Sequence, residues 1–381
     1  LKGFKHWGLG AIKQVSLLYW LLLPMGGILL FLALLYPSNN YDSMTYHMAR
    51  VAHWIQNQSI GIYPTSLKFQ NQQVPGAEYL ILILQLFSGT DRLANIPQFI
   101  SWIILIFSSN YLLRVLGVSV KIRPFIVLIM ASAPMAILQA TSTQTDLIAS
   151  VMTHGIIIAF GHFLFGNLDR VRKRDYLMIG IACGGGFLVK PTALLVVIPF
   201  LLFGTFRQLK TAFSNRKNFF NAVVGIGIFI FGFFLLTGPD MLRKIILVGN
   251  PLGIGFSVVQ PFFSGWTGSR FWHVLWSMNS QFPNLIPSIG MGMPEYNPLK
   301  IHEDNVGNPI QLLFGLVMLM IPPVLMKFSV SRLKKSAWIM ALLPIASWTI
   351  MMLVIGASKY IARYHLPIFY LLPLGGQLEL P

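Results

Sequence analysis

The chain has 381 residues, of which 55% are hydrophobic and only 10% are charged, and its mean hydropathy is +0.67. A soluble domain carries roughly 25% charged residues, so this composition excludes an ordinary water-soluble fold. The formal net charge of +17 would indicate nucleic-acid binding in a soluble protein. Cytoplasmic loops of membrane proteins are also enriched in Lys and Arg, and we therefore predict no nucleic-acid partner.

Apolar runs of membrane length recur along the whole chain, and about 20 residues are enough to span a bilayer. They predict an all-α fold, a polytopic transmembrane helix bundle that forms a single membrane domain over residues 1–381. The predicted spans, about ten in number, are 17–36, 94–113, 124–140, 147–166, 176–189, 192–206, 219–237, 309–326, 337–356 and 361–376.

The segment 75–89 is short for a span and contains Glu78, which favours an interfacial or re-entrant helix. If it does not span and the N-terminus lies inside, most of the 28 basic residues face the cytoplasm. If it does span, fewer than half of them remain inside, so the charge bias favours the first topology. This topology predicts two outer loops, 37–93 and 238–308. In the second, Trp266, Trp272 and Trp276 are expected to anchor the chain at the headgroup level.

Asp42 begins the first outer loop, ahead of residues with helical periodicity. Apolar residues fall on one face (Met44, Met48, Val51, Ile55) and polar residues on another (Tyr46, Arg50, His53, Asn57). This pattern predicts an amphipathic helix on the outer surface of the membrane. Asp42 is then either the N-cap of this helix or a carboxylate held at the surface as a general base.

Asp146 and Lys190 also fall at the outer ends of predicted spans. Asp146 follows a run of Ser, Thr and Gln, so it is either an N-cap or a functional carboxylate. Lys190 precedes Pro191 at a predicted helix break, where it either snorkels to the interface or binds an anionic headgroup or phosphate.

The sequence offers little support for a metal site or a disulfide framework. Its single cysteine, Cys183, lies in a Gly-rich apolar run and is expected to be a small buried packing residue. His302, Glu303 and Asp304 are adjacent, and three adjacent residues converge on one ion only if the backbone bends sharply. We therefore predict a solvated loop there, with no metal and no cofactor.

Several motifs follow one another in a characteristic order. They are Asp42 with Tyr46 after the first span, Pro75-Gly76-Ala77-Glu78-Tyr79, Phe87-Ser88-Gly89 followed by Arg92-Leu93-Ala94, Thr145-Asp146, Lys190-Pro191-Thr192-Ala193-Leu194-Leu195, and Arg363-Tyr364 before Leu366-Pro367. In this order the chain resembles the GT-C superfamily of membrane glycosyltransferases, in particular the protein O-mannosyltransferases and lipid A aminoarabinose transferases. The resemblance covers mainly residues 15–205.

The resemblance implies an inverting transfer of a sugar from a polyprenyl-phosphate donor to a hydroxyl on a lipid, glycan or protein acceptor. It implies catalytic roles for Asp42, as general base, and Asp146. Expected ligands of the donor phosphate are Lys190, Arg363 and Arg50, and expected substrate contacts are Tyr46, His47, Glu78 and Tyr364. The implied location is a multi-pass position in a bacterial inner (plasma) membrane, with the active site on the outer face.

The chain also departs from the family pattern. Many relatives carry a second acidic residue where this chain has Ser43, and the Pro-Pro motif is reduced to Val74-Pro75. Two other functions stay open. A non-enzymatic transporter or flippase of lipid-linked sugars would have inverted repeats, of which the hairpin 176–206 is a partial indication. A purely structural membrane subunit predicts no clustering of Asp42, Asp146 and Lys190.

Overall fold

The fold is known from a computed structural model. It describes residues 17–115, 118–164, 171–213, 216–252, 274–281, 306–326, 334–356 and 361–371. Every regular element in these ranges is a helix, and the described ranges contain no β-strand, which confirms the all-α prediction for them. Five residues of the sequence analysis lie outside the described residues: Trp266, Trp272, His302, Glu303 and Asp304.

The first half of the described chain contains ten α-helices and one π-helical turn, Ser43–His47. The α-helices are α1 (Leu17–Trp20), α2 (Leu22–Leu35), α3 (Met48–Gln56), α4 (Phe69–Gln72), α5 (Gly76–Ser88), α6 (Ile96–Val115), α7 (Arg123–Ala131), α8 (Pro134–Gln139), α9 (Asp146–Ala159) and α10 (Gly161–Leu164). The later α-helices are α11 (Lys173–Val189), α12 (Thr192–Ala212), α13 (Arg216–Val248), α14 (Pro309–Met326), α15 (Lys334–Ile355), α16 (Ile361–Tyr364) and α17 (Leu366–Phe369).

Four helical segments of the described chain are long and apolar enough to cross a membrane. They are Leu18–Leu35, Ile96–Val115, Thr192–Thr211 and Phe219–Val248. All four overlap predicted spans, although α12 and α13 continue well beyond the predicted ends at residues 206 and 237. The length and composition of these helices are those of a membrane protein.

Several predicted spans are not continuous helices. Residues 124–140 divide into α7 and α8, because the residue before Pro134 is pushed out of helical geometry; Ala133 has φ −57° and ψ 126°. Residues 147–166 divide near Phe160, between α9 and α10. The start of the predicted span 361–376 consists of the two short helices α16 and α17.

The helix that follows Asp42 forms as predicted, but its faces differ from the prediction. Val51 is buried as expected, whereas Met44 and Ile55 of the predicted apolar face are exposed and Arg50 of the polar face is fully buried. One reason is the π-helical turn, which has more residues per turn than an α-helix and so rotates the faces of the residues before and after it. Only the placement of Arg50 on a polar outer face is therefore wrong, and the amphipathic helix on the outer surface of the membrane stays a prediction.

The helices around the functional residues pack closely. α11 packs along α13, and Gly184 makes this possible, since a Cβ there would lie 2.9 Å from the carbonyl oxygen of Phe233. Cys183, the residue before Gly184, is buried as expected. α9 contacts α6, α11 and α12, so the start of α9 and the end of α11 are held beside each other.

Candidate functional site

The first feature of the site is an ion pair between opposite ends of the chain. Nη1 of Arg363, in α16, donates to Oδ2 of Asp42 at 2.6 Å. Both side chains are largely withdrawn from solvent, with 10% and 14% of their surface exposed. Asp42 makes no capping hydrogen bond to the helix that follows it, so its carboxylate serves the ion pair and not the N-cap.

A network of neutral side chains holds this ion pair in place. Arg363 Nη1 also donates to Oε1 of Gln144 at 3.1 Å, and Gln144 Nε2 donates to Oδ1 of Asn40 at 3.4 Å. Asn40 Oδ1 in turn accepts the backbone N–H of Ser43 at 2.7 Å. The loop before the π-helical turn is thereby fixed to the loop before α9.

A direct bond between hydroxyl groups reinforces this connection. The Thr143 hydroxyl donates to the Ser43 hydroxyl at 2.6 Å, and both residues are buried. A carboxylate at position 43 would meet the Thr143 hydroxyl and add negative charge beside Asp42, whereas serine keeps the local charge unchanged.

The second feature is an ion pair between Lys190 and Asp146. Lys190 Nζ donates to Oδ1 of Asp146, with 15% and 1% of the two side chains exposed. Lys190 adopts an extended conformation (φ −162°, ψ 110°) because Pro191 disfavours helix at the preceding residue, and this conformation ends α11. Thr145 occupies the N-cap position of α9, so Asp146 is the first residue of the helix and its carboxylate is used in the ion pair.

The ring of Tyr364 connects the two ion pairs. Lys190 Nζ lies 4.4 Å from the centroid of this ring, and the guanidinium carbon of Arg363 lies 5.5 Å from it. The side chains of Asp42, Arg363, Tyr364, Lys190 and Asp146 therefore form one group, which we call the ion-pair site. Because it contains two carboxylates and two cations, the net formal charge of the ion-pair site is zero.

Arg363 lowers the pKa of the Asp42 carboxyl. Burial raises the pKa of the Asp42 carboxyl, but the charge and hydrogen bond of Arg363 outweigh it, with smaller contributions from Tyr46 and His47. The pKa of Asp42 therefore lies below its usual value, and the group is ionised at neutral pH. Tyr46 shares a hydrogen bond with Asp42, and burial together with that negative charge raises the pKa of its phenol well above the usual value.

Glu78, His47 and Arg50 form a second buried cluster beside the ion-pair site. Glu78 Oε1 lies 2.9 Å from His47 Nδ1 and 3.2 Å from Arg50 Nη1. Burial raises the pKa of Glu78, but the charges of Arg50 and His47 overcome this effect and hold the pKa below its usual value. The ring of His47 also packs on that of Tyr46, with centroids 4.2 Å apart.

Arg50 holds the backbone of the first loop. Its guanidinium donates to the carbonyl oxygens of Phe69, Gln70, Gln73 and Val74, and to Glu78. None of its side-chain surface is exposed. In this arrangement the guanidinium supports the loop 69–74 and presents no face to a ligand, contrary to the expectation that Arg50 binds the donor phosphate.

The structure places six of the nine predicted residues in the ion-pair site or bonded to it, and the other three in the cluster beside it. The ion-pair site contains Asp42, Asp146, Lys190, Arg363 and Tyr364, with Tyr46 bonded to Asp42; the cluster beside it contains His47, Arg50 and Glu78. Sequence reasoning missed the network around Arg363, which consists of Asn40, Ser43, Thr143 and Gln144. Neutral polar residues in loops carry no pattern that would have singled them out.

Comparisons with known proteins give no relative for this chain: no family model, no characterised protein and no solved structure matches it. Within the described part of the chain, no three His, Cys, Asp or Glu side chains converge as a metal site would require. The chemistry of the ion-pair site therefore has to be inferred from its own groups. They are two carboxylates, each paired with a cation, in surroundings that exclude most water.

Proposed function

We propose that this protein is a multi-pass membrane glycosyltransferase with a GT-C-like fold of about ten spans. It transfers a sugar from a polyprenyl-phosphate donor to a hydroxyl group of a lipid, glycan or protein acceptor. The reaction takes place on the outer face of a bacterial inner membrane. The observation that carries the proposal is the meeting of the ion pairs Asp42–Arg363 and Asp146–Lys190 at the ring of Tyr364.

The first support for this reaction class is the clustering of charged side chains. Placing a charged side chain at membrane depth costs free energy, so such residues are usually functional and mark a pathway or a site. Here four of them come from chain segments far apart in sequence and lie at helix ends, largely withdrawn from water. A purely structural subunit gives no reason for this clustering.

The two cations of the site can stabilise the leaving group of this reaction. As the bond between the anomeric carbon and the phosphate oxygen breaks, its electron pair leaves with the lipid phosphate, whose negative charge grows. Lys190 and Arg363 are fixed cations where this charge develops, and cations so placed stabilise a transition state. A lipid-borne donor also accounts for a site at helix ends, without a nucleotide-binding fold.

Asp42 is the group proposed to accept the proton of the acceptor hydroxyl as that oxygen bonds to the anomeric carbon, with inversion. While Arg363 stays on Asp42, the lowered pKa makes the carboxylate a weak base. A donor phosphate competes for the same guanidinium. When Arg363 turns toward the phosphate, the effect of burial raises the pKa of Asp42. The carboxylate thus becomes a stronger base once the donor is bound.

The topology rests on the charge bias of the loops. Basic residues gather in loops that the ten-span topology places inside, and α5 is only 13 residues long, which is short for a span. This topology leaves the end of α2, the start of α9 and the end of α11 on the outer side. Asp42, Asp146 and Lys190 then belong to one face of the membrane.

The test is sugar transfer from polyprenyl-phosphate sugars in membranes that contain the wild type or Asp42→Asn. We expect Asp42→Asn to reduce transfer by roughly 10²–10⁴-fold, the usual contribution of a general base. Asp91→Asn is the matched control, since Asp91 is an exposed acid of the same loop, and it should transfer at the wild-type rate. Full transfer by Asp42→Asn would rule out the base role.

A second candidate is transport of a lipid-linked sugar across the membrane without transfer. The interrupted helices α7–α8 and α16–α17 favour it, because discontinuous helices are common in transporters. The same membranes decide between the two functions. Movement of the labelled donor between leaflets, with no product formed by the wild type, would support the transporter.

A further inference from the structure

Tyr364 stands out in the ion-pair site because it is neutral and yet contacts both cations. Lys190 reaches its ring from the break between α11 and α12, while Arg363 precedes it in α16. Among the described residues, no other aromatic ring has two cations over it. The ring is partly buried, so these contacts form where water screens charge poorly.

The ring of Tyr364 offsets a repulsion between the two cations. Like charges repel, and the carboxylates that pair with the cations lie on different segments, Asp146 against Lys190 and Asp42 against Arg363. The face of an aromatic ring carries negative potential and attracts a cation placed over it. One ring that attracts both cations offsets part of their repulsion and keeps them close together.

The ring contact differs from the carboxylate contacts in one respect. An incoming phosphate competes with Asp42 and Asp146 for the cations, because all three are anions. The neutral ring does not compete with the phosphate, so its contacts persist when the counter-ion changes. The spacing of Lys190 and Arg363 therefore survives the exchange of a carboxylate for a phosphate.

We infer that Tyr364 is a positioning residue whose ring face sets the spacing of Lys190 and Arg363 so that both contact a single lipid phosphate. This inference rests on the proposed function and deepens it. It also changes the role that the family resemblance implies, because Tyr364 acts through the two cations and need not touch the sugar. The phenol hydroxyl has no part in this role.

The first experiment measures the binding of a polyprenyl phosphate without a sugar to the purified protein in lipid nanodiscs. Tyr364→Phe keeps the ring and should bind within about twofold of the wild type. Tyr364→Leu removes the ring and should bind roughly tenfold more weakly, within the range expected for desolvated cation–π contacts. Tyr79→Leu, which removes a tyrosine ring from α5, is the control and should bind as the wild type does.

A second series keeps the shape of the side chain and changes only the charge of the ring face. Phenylalanine with one, two and three fluorine atoms, introduced at position 364, carries a progressively weaker negative potential on its face. Affinity for the polyprenyl phosphate should fall stepwise along this series. A residue that only fills space would give a flat response, so this readout also holds if Tyr364→Leu fails to fold.

The outcomes are distinguishable. A flat fluorination series, or equal losses for Tyr364→Phe and Tyr364→Leu, would overturn the role of the ring but leave the proposed function standing. A wild-type protein that does not bind the polyprenyl phosphate at all would overturn the proposed phosphate site, and this inference with it.

Discussion

Asp42 and Arg363 are 321 residues apart in sequence and form a 2.6 Å ion pair. The contact joins the first loop after α2 to the short helix α16 near the other end of the chain. Gln144 bonds to the same guanidinium nitrogen, so a third segment, the loop before α9, belongs to the contact. The site therefore exists only when segments distant in sequence have assembled, and its chemistry depends on where the guanidinium of Arg363 lies.

Arg363→Met should move the acid limb of the pH–rate profile to higher pH. In the wild type Arg363 lowers the pKa of Asp42 despite burial, so the base stays ionised even below its usual titration range. Without Arg363 the effect of burial remains and its largest opposing charge is gone, so the pKa of Asp42 rises and the base becomes protonated at a higher pH than in the wild type. The profile of kcat/KM measures this shift. Arg92→Met, at an exposed position of the same loop, is the control, and an unmoved limb in Arg363→Met would contradict the coupling.

Lys190→Met should destabilise the protein by about 3–5 kcal/mol, because it leaves the buried Asp146 carboxylate without its cation. Adding Asp146→Asn to Lys190→Met removes the unpaired carboxylate and should restore much of the lost free energy of unfolding. Thermal unfolding in detergent measures both variants. The double variant should still bind the polyprenyl phosphate poorly, since Lys190 is absent. Equal unfolding midpoints for Lys190→Met and the double variant would argue against the pairing.

Glu78→Gln should also destabilise the protein by about 3–5 kcal/mol at neutral pH, because Arg50 loses its buried counter-charge. The pKa of Glu78 is lowered in the folded state, so its contribution is present above the unfolded value, about 4.3, and is lost as the pH falls through the folded value. The unfolding midpoint of the wild type should therefore drop in acid more steeply than that of the variant. Asp91→Asn, at an exposed position of the first loop, should change the midpoint little.

Gly76→Ala should disturb the site from a distance. A Cβ at Gly76 would lie 2.6 Å from the carbonyl oxygen of Leu188 and 2.9 Å from the amide nitrogen of Val189, immediately before Lys190. Because the obstruction is backbone, α5 or the end of α11 must move, at a cost of about 1–3 kcal/mol. Affinity for the lipid phosphate and the unfolding midpoint should both fall. Gly27→Ala, with no atom within 4 Å, is the control and should change neither.

The sequence was informative where a single physical property decides the outcome. Length and hydropathy were enough to predict α6, and charge bias was enough to group Asp42, Asp146 and Lys190. It failed where the partner of a residue is backbone or a neutral side chain. Arg50 looked like an exposed cation, because its carbonyl partners in the loop 69–74 leave no pattern in the sequence.

α13 has 33 residues, so at 1.5 Å per residue it is about 50 Å long, whereas the hydrocarbon core of a bilayer is about 30 Å thick. Near its end Leu242 and Ile246 are exposed and apolar, while Asp240 and Lys244 are buried. A helix this much longer than the bilayer tilts as the membrane thins, and α13 packs along α11, whose last residue, Val189, directly precedes Lys190. We therefore expect a change of membrane thickness to act, through α13 and α11, on the position of the Lys190 ammonium group.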